Sequence, residues 1–310
     1  MSSSVPVVVK LLASAVSVAG RAGKIVRDVM SKGDLGIIDK GINDFQTEAD
    51  RSAQKCIIAS LTAQYPNVKI FGEEERSDNE GDIPSEWLIL DADAEVLCLR
   101  CPANLQTVKE EDIVVWVDPL DGTAEYTQGF LEHVTVLIGI SVNEVPVAGV
   151  IHQPYYKTMV GGEKKMGRTI WGLQDVGVGG FTPGPPPSSL VITTTRSHSN
   201  QIVEKALEVM NASQVLRVGG AGYKVLQLLE GVASVYLFAS PGCKKWDTCA
   251  PEAILRAAGG KLTDILGNNY AYGPKAIFMN KTGVLAAVNE ELHKFALSKI
   301  PKELQDTLSK

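Results

Sequence analysis

Residues 114–126 read V-V-W-V-D-P-L-D-G-T-A-E-Y and place two carboxylates, Asp118 and Asp121, at the end of an apolar run. Pro119 and Gly122 impose turns between and after them. Like charges this close repel, and each tends to take up a proton unless something positive lies between them. The stretch is therefore either a solvated loop or a cation site. Three further acidic positions have a suggestive context. Glu73 and Glu74 follow V-K-I-F-G, at the carboxyl end of an expected strand, where α/β folds commonly place ligands. Asp247, in K-K-W-D-T-C-A-P-E, stands where a helix should begin, and Asp50, in D-F-Q-T-E-A-D-R, lies on an early helix. Each also has an ordinary reading: Asp247 as an N-cap, Asp50 as a solvated helix residue, the glutamates as a polar loop.

Other motifs fail on spacing. Asp91-Ala-Asp93-Ala-Glu95 starts like a calcium loop, but its sixth position is Val96 instead of Gly and its twelfth is Pro102 instead of Glu. D-P-L-D-G-T has one residue too many for the D-x-D-G-T of aspartyl-phosphate phosphatases. Gly219-Gly220-Ala221-Gly222 before Lys224 does not fit a Walker loop. Cys98-Leu-Arg-Cys101 has zinc spacing without a second pair to complete four ligands.

Periodicity predicts the elements that must hold these groups. Helices are expected near 5–30 and 44–64, and strands at 68–72, 113–117, 134–142 and 147–152. A polar surface loop is expected at 76–86, and the Gly/Pro-rich stretch 177–189 contains a linker. Its core, 179–189, divides an N-terminal unit of residues 1–178 from a C-terminal unit of residues 190–310. A strand at 190–194 follows, then alternating helices and strands, with helices near 200–210, 222–230 and 247–258. The mixture points to layered α/β structure.

The chain has 310 residues, 45% hydrophobic and 21% charged, which is ordinary for a globular protein. Its formal charge of −6 lacks the basic excess of a nucleic-acid binder, so no nucleic-acid polymer is expected as partner. No apolar run reaches the roughly 18 residues needed to span a bilayer, and no membrane partner is expected. The start lacks a basic leader and Lys10 interrupts it, so it reads as an amphipathic helix instead of a signal peptide. Lys10, Arg21, Lys24 and Arg27 are expected on its wet side. Five cysteines do not make a disulfide framework, and a reducing, cytoplasmic setting is expected.

The phrase W-V-D-P-L-D-G-T, preceded by G-E-E and followed by W-D-T-C-A-P-E-A-I-L-R-A-A-G-G, resembles the inositol monophosphatase-like superfamily of magnesium-dependent, lithium-sensitive phosphatases. T-T-T-R-S-H-S-N, V-G-G-A-G-Y-K and F-A-S-P-G-C-K-K-W-D are similar to its bisphosphate nucleotidase branch. The resemblance covers nearly the whole chain and is weakest at 76–108 and 157–189. It implies alternating α and β layers of the inositol monophosphatase/fructose-1,6-bisphosphatase type. It also implies two or three Mg²⁺ ions per site. Glu73, Asp118 and the Leu120 carbonyl would hold one, and Asp118, Asp121 and Asp247 another. Asp50 and Thr123 would orient and deprotonate the attacking water, while Thr195, His198, Gly220 and Lys224 would contact a small bisphosphorylated nucleotide. In that reading His198 meets the base and Lys224 meets a phosphate as a mobile point charge. Ala124 departs from relatives, which often carry Lys there, without touching a metal ligand.

The implied reaction removes the 3′-phosphate of adenosine 3′,5′-bisphosphate, and by extension of its 2′,5′ isomer and its sulfated relative. Two rivals stand beside it: an inositol polyphosphate 1-phosphatase, which would share the metal cage, and a catalytically silent phosphonucleotide sensor. The sensor is disfavoured because every ligand position and the Asp50/Thr123 pair are intact.

Overall fold

A computed structural model of the chain describes residues 5–41, 44–74, 83–160 and 163–309. Most of the expected polar loop, residues 75–82, lies outside these. The first elements are α1 (Val7–Lys32), a hairpin of β1 (Ile38–Gly41) and β2 (Asp44–Gln46), α2 (Glu48–Gln64), β3 (Lys69–Gly72) and the single turn α3 (Ala94–Leu97). Next come β4 (Ile113–Asp121), α4 (Thr123–Gln128), β5 (Thr135–Val142), β6 (Val145–Val160), β7 (Glu163–Leu173) and β8 (Gly177–Gly179). The remainder is β9 (Val191–Thr195), α5 (Gln201–Met210), β10 (Gln214–Val218), α6 (Ala221–Leu229), β11 (Val235–Phe238), α7 (Lys245–Ala257), β12 (Lys261–Thr263), β13 (Val284–Ala287), α8 (Glu290–Lys299) and α9 (Lys302–Leu308).

Two sheets organise these elements. The first has six strands in the order β3-β4-β5-β6-β7-β8, and the second five in the order β10-β9-β11-β13-β12. Helices α1 and α2 lie against the first sheet, α6 and α7 fill the space between the sheets, and α5 and α8 pack on the second. This is the layered α/β architecture expected from the sequence. Strands β4, β5, β9, β11 and β13 are buried along their whole length, as strands covered on both faces must be. The near-continuous apolar runs of β4, β5, β11 and β13 are the sequence trace of that double cover, whereas β9 buries Thr193, Thr194 and Thr195.

The helix expected at 44–64 starts later, because Thr47 caps it and residues 44–46 pair with β1 instead. The strand expected at 147–152 runs from Val145 to Val160. Gly177–Gly179, inside the stretch expected as connection, pairs with β7 as an edge strand. Residues after Gly179 lead from the first sheet to β9 of the second. Among the described residues no helix is long and apolar enough to cross a membrane.

One packing feature bears directly on function. Gly139, Gly149 and Gly172 lie side by side across β5, β6 and β7. A Cβ on each would collide with α7: 2.6 Å from Cys249 Cβ, 2.6 Å from the Ala250 carbonyl and 2.7 Å from Ile254 Cα respectively. The missing side chains form a trough in which α7 lies flat on the sheet. That contact sets where its first turn, with Asp247, meets the end of β4.

Candidate active site

The D-P-L-D spacing is resolved by a β-bulge. Asp118 pairs with Leu137 and Asp121 with Thr135, so three residues on β4 advance against two on β5. Residues three apart on a regular strand face opposite sides. The extra residue restores the phase, and both aspartates line one cleft. Gly122 then takes φ of 90°, a left-handed conformation that favours Gly, and α4 begins at Thr123.

Each remaining carboxylate is held by its own local device. Asp50 is the third residue of α2, and its Oδ2 accepts from the Thr47 amide at 2.7 Å and the Thr47 hydroxyl at 2.6 Å. Asp247 stands third in α7 and accepts from the Lys244 amide at 2.7 Å. Asp50 is the acidic member of a capping box with Thr47, whereas Asp247 supplies only the return bond to the N-cap amide, so the expected N-cap at Asp247 sits at Lys244 instead. Asp121 receives the Ala221 and Gly222 amides at the start of α6, at 2.8 and 2.9 Å, and the Thr135 hydroxyl at 2.6 Å. Asp118 Oδ1 accepts from the Leu120 amide. Glu73 follows β3, held where its amide donates to the Val117 carbonyl.

The cleft brings together Glu73, Asp118, Leu120, Asp121, Thr123 and Asp247 with Thr195, His198, Gly220 and Lys224. Asp50 lies just behind it, fully buried instead of solvated, and accepts from the Thr123 hydroxyl at 3.0 Å. That hydroxyl also reaches the Leu120 carbonyl at 3.1 Å. Every residue that the resemblance implied for the site is therefore at or directly behind one cleft.

Burial pushes the Asp118 carboxyl well above its ordinary range, and Glu73, Asp121 and Asp247 add to the shift by repulsion. Burial and Glu73 raise Asp247 to about 8, against the Lys244 amide. Glu73 is raised by burial despite Lys244, whose Nζ lies 3.5 Å away. Asp121 is raised by burial, opposed by Thr135 and Lys224. Buried acids that oppose one another's ionisation call for a proton or a cation among them. Among the described residues no three His, Cys, Asp or Glu side chains converge as a finished metal cage. The donor chemistry nevertheless fits a hard divalent cation: desolvated carboxylates beside a main-chain carbonyl offer oxygen ligands and surplus negative charge.

Lys224 is not the mobile cation that the sequence reading expects. It is buried, and its Nζ donates to the Gly220 carbonyl at 2.9 Å. Burial lowers its pKa while the Asp121 charge opposes the shift. His198 is exposed on the loop after β9, where its amide donates to the Thr195 hydroxyl at 3.0 Å. Sequence reasoning missed Thr135, which holds Asp121, and Phe45 and Ser197, which line the cleft. Only the alternation of β5 marks Thr135, a polar residue at the start of a buried strand. Glu74 does not join the cluster: Lys40 and Gln46 of the hairpin hold its carboxylate.

The chain has relatives across most of its length. Residues 8–305 match the model of the inositol monophosphatase family. The chain belongs to this family. It is 50% identical over 311 residues to 3'(2'),5'-bisphosphate nucleotidase 1 of Mus musculus, covering 99% of each chain. With the protein of the same name from Dictyostelium discoideum it shares 38% identity, covering 91% of this chain and 94% of that one. Among solved structures, the extragenic suppressor protein suhB from Bartonella henselae superposes with a TM-score of 0.66 at 21% identity, covering 93% of this chain and 96% of that chain. That likeness places the layered architecture within the family's fold.

Proposed function

We propose that this family member is a phosphomonoesterase that hydrolyses adenosine 3′,5′-bisphosphate to AMP and phosphate. The 2′,5′ isomer and the sulfated analogue are substrates of the same site. The observation that carries the reading is the Thr123–Asp50 hydrogen bond, set against a floor of buried carboxylates in a cleft whose other wall is the T-T-T-R-S-H-S-N loop. The 50% identity to a bisphosphate nucleotidase over the full length supports the nucleotide over an inositol phosphate.

Glu73, Asp118, Asp121, Asp247 and the Leu120 carbonyl are the groups that would hold Mg²⁺, two or three ions in all. When bound, such ions supply Lewis-acid charge to the phosphoryl oxygens and make water easier to deprotonate. The Thr123 hydroxyl orients the attacking water and passes a proton toward Asp50 Oδ1. Burial raises the Asp50 carboxyl to about 7 against the Thr47 hydrogen bonds, which suits an acceptor working near neutral pH. Thr195 and His198 position the nucleoside. Lys224, fixed beside Asp121 and Gly220, contributes a stationary positive charge to the phosphate side.

Inhibition by lithium at working magnesium concentrations belongs to the same proposal, because a small monovalent ion can enter a carboxylate site while supplying half the charge. The five cysteines are all free thiols, which supports a cytoplasmic setting. The test is phosphate release by purified protein from adenosine 3′,5′-bisphosphate and from inositol 1,4-bisphosphate, with magnesium and with chelator. Preference for the nucleotide and loss of activity with chelator are expected. Faster release from the inositol compound would give the site to inositol phosphates, and no release from either would leave a sensor.

A further inference from the structure

Arg196 and Glu125 stand outside the roles assigned above, although Glu125 is 2% exposed and lines the cleft. A buried carboxylate needs a partner, because a charge taken out of water unpaired is costly. Its partner comes from across the cleft. Arg196 Nη2 and Nε lie 3.2 and 3.3 Å from Glu125 Oε1. The same guanidinium donates to Gln128 Oε1 at 2.8 Å and sits 4.2 Å above the Phe130 ring. Glu125 and Gln128 are on α4, and Phe130 directly follows it, whereas Arg196 begins the loop that carries His198.

A third segment closes on this contact. A Cβ on Gly219 would lie 1.9 Å from the Glu125 carboxyl carbon, so the turn before α6 is shaped around that side chain. The Arg196 amide donates to the Val218 carbonyl of the same turn at 3.1 Å. Three pieces of chain that supply site residues therefore meet at one ion pair: α4 with Thr123, the loop with Thr195 and His198, and the turn whose next amides hold Asp121. Arg196 itself points behind the cleft and does not line it.

We infer that the Arg196–Glu125 pair is a positioning device that locks the water-orienting helix α4 to the nucleoside-reading loop, so that binding on one wall fixes the chemistry on the other. The inference rests on the functional reading above for what the two walls do, but the coupling itself is a property of the fold. A planar, always-charged fork suits the task, since it bonds α4 at two side chains and stacks on a third. Losing it frees both walls together, and a misplacement of about 1 Å at a reacting group costs on the order of 10²-fold in rate.

The deciding experiment is amide hydrogen exchange on wild type, Arg196→Ala, Arg196→Lys and Glu125→Gln, joined to steady-state kinetics on adenosine 3′,5′-bisphosphate and on 4-nitrophenyl phosphate, which has no base. In Arg196→Ala, exchange should quicken at residues 123–128 and 195–200 alike. Turnover of the base-free ester should fall roughly 10- to 100-fold, and KM for the nucleotide should rise. Arg196→Lys should recover part of both effects, and Glu125→Gln, which keeps the shape and one acceptor, should move both segments in the same direction by less. Faster exchange in only one segment overturns the coupling. So does a base-free rate within twofold of wild type, which would leave Arg196 a local loop anchor. A wild type that cleaves the simple ester but not the nucleotide removes the nucleotide reading, and the exchange data still decide the coupling.

Discussion

Replacing Asp50 by Asn separates proton acceptance from structure. Its two oxygens face three donors and no acceptor: the Thr47 amide and hydroxyl on Oδ2, and the Thr123 hydroxyl on Oδ1. Asn has one oxygen and one NH₂, so one side must present a donor to a donor. The Thr47 amide cannot turn away, whereas the Thr123 hydroxyl can rotate fully onto the Leu120 carbonyl that it already contacts at 3.1 Å. The amide oxygen will therefore stay with Thr47, and Thr123 will lose its route to a base. Loss of a positioned acceptor costs roughly 10²- to 10⁴-fold in kcat, or about 3–5 kcal/mol of transition-state stabilisation. Stability should move the other way. The cap contact survives, and a carboxylate whose ionisation is opposed by burial up to about 7 is replaced by a neutral group. Removing that opposition is worth at most ~4 kcal/mol above pH 7. The expected variant melts no lower than wild type at pH 8, keeps its magnesium dependence and is slower by two to four orders of magnitude. A kcat within threefold of wild type would refute the proton route through Thr123.

Asp121→Asn should still fold, because its one oxygen can keep the Gly222 amide and the Thr135 hydroxyl while only the Ala221 amide loses its acceptor, at a cost of about 1–3 kcal/mol; the magnesium needed for half-maximal rate should rise at least tenfold, and an unchanged titration removes Asp121 from the ion site. His198→Ala should reduce kcat/KM for the nucleotide more than for any inositol bisphosphate the protein accepts, since only the nucleotide has a base; equal losses would show that His198 does not read it. Gly149→Ala drives a Cβ to 2.6 Å from the Ala250 carbonyl, and should cost about 1–3 kcal/mol in urea unfolding while weakening magnesium activation through α7. Glu252 is buried, with its carboxyl raised from 4.5 to about 7 by burial and opposed by the Tyr272 hydroxyl at 2.6 Å. Between those values the folded protein holds more protons than the unfolded chain, so this group's contribution to stability falls as pH rises through the window and is flat above it. Glu252→Gln should flatten the slope and be more stable than wild type at pH 8 by at most ~3 kcal/mol, and urea unfolding at pH 5 and pH 8 reads the difference.

Much of the framework was legible because burial on both faces leaves uninterrupted apolar runs. I-V-V-W-V and T-V-L-I-G-I-S-V announce β4 and β5, and the period of α1 announces its buried stripe. The edges were not legible. Strand β7 reads E-K-K-M-G-R-T-I-W-G-L, and β8 is three residues around a Val in a Gly-rich stretch. Strands like these take their structure from a neighbour's ladder more than from their own side chains. The site residues were found through short contiguous phrases, which carry ligand types but not orientation. Lys224 shows the limit: a Lys on an amphipathic helix reads as solvated, and only the packing of α6 against the turn at Gly220 buries its head.

The same limit explains why D-P-L-D reads at first as a contradiction. In a regular strand, Asp118 and Asp121 would point to opposite faces and could not share an ion. The bulge removes the contradiction, but nothing in the two aspartates encodes it; Pro119, which has no amide hydrogen to donate to a ladder, and the pairing of Thr135 with Asp121 do. Asp50 and Asp247 are likewise positioned by the N-cap amides of α2 and α7, and Asp121 by the first amides of α6. Each acid is thus oriented by a separate local device, and the repulsion among them is absorbed by five independent anchors instead of one network. It follows that neutralising any one acid relieves repulsion on the others without releasing their anchors. Single substitutions in the cluster should therefore fold normally and lose function, and double substitutions should lose little more than the more damaging single one, since the ions and the water act as a unit.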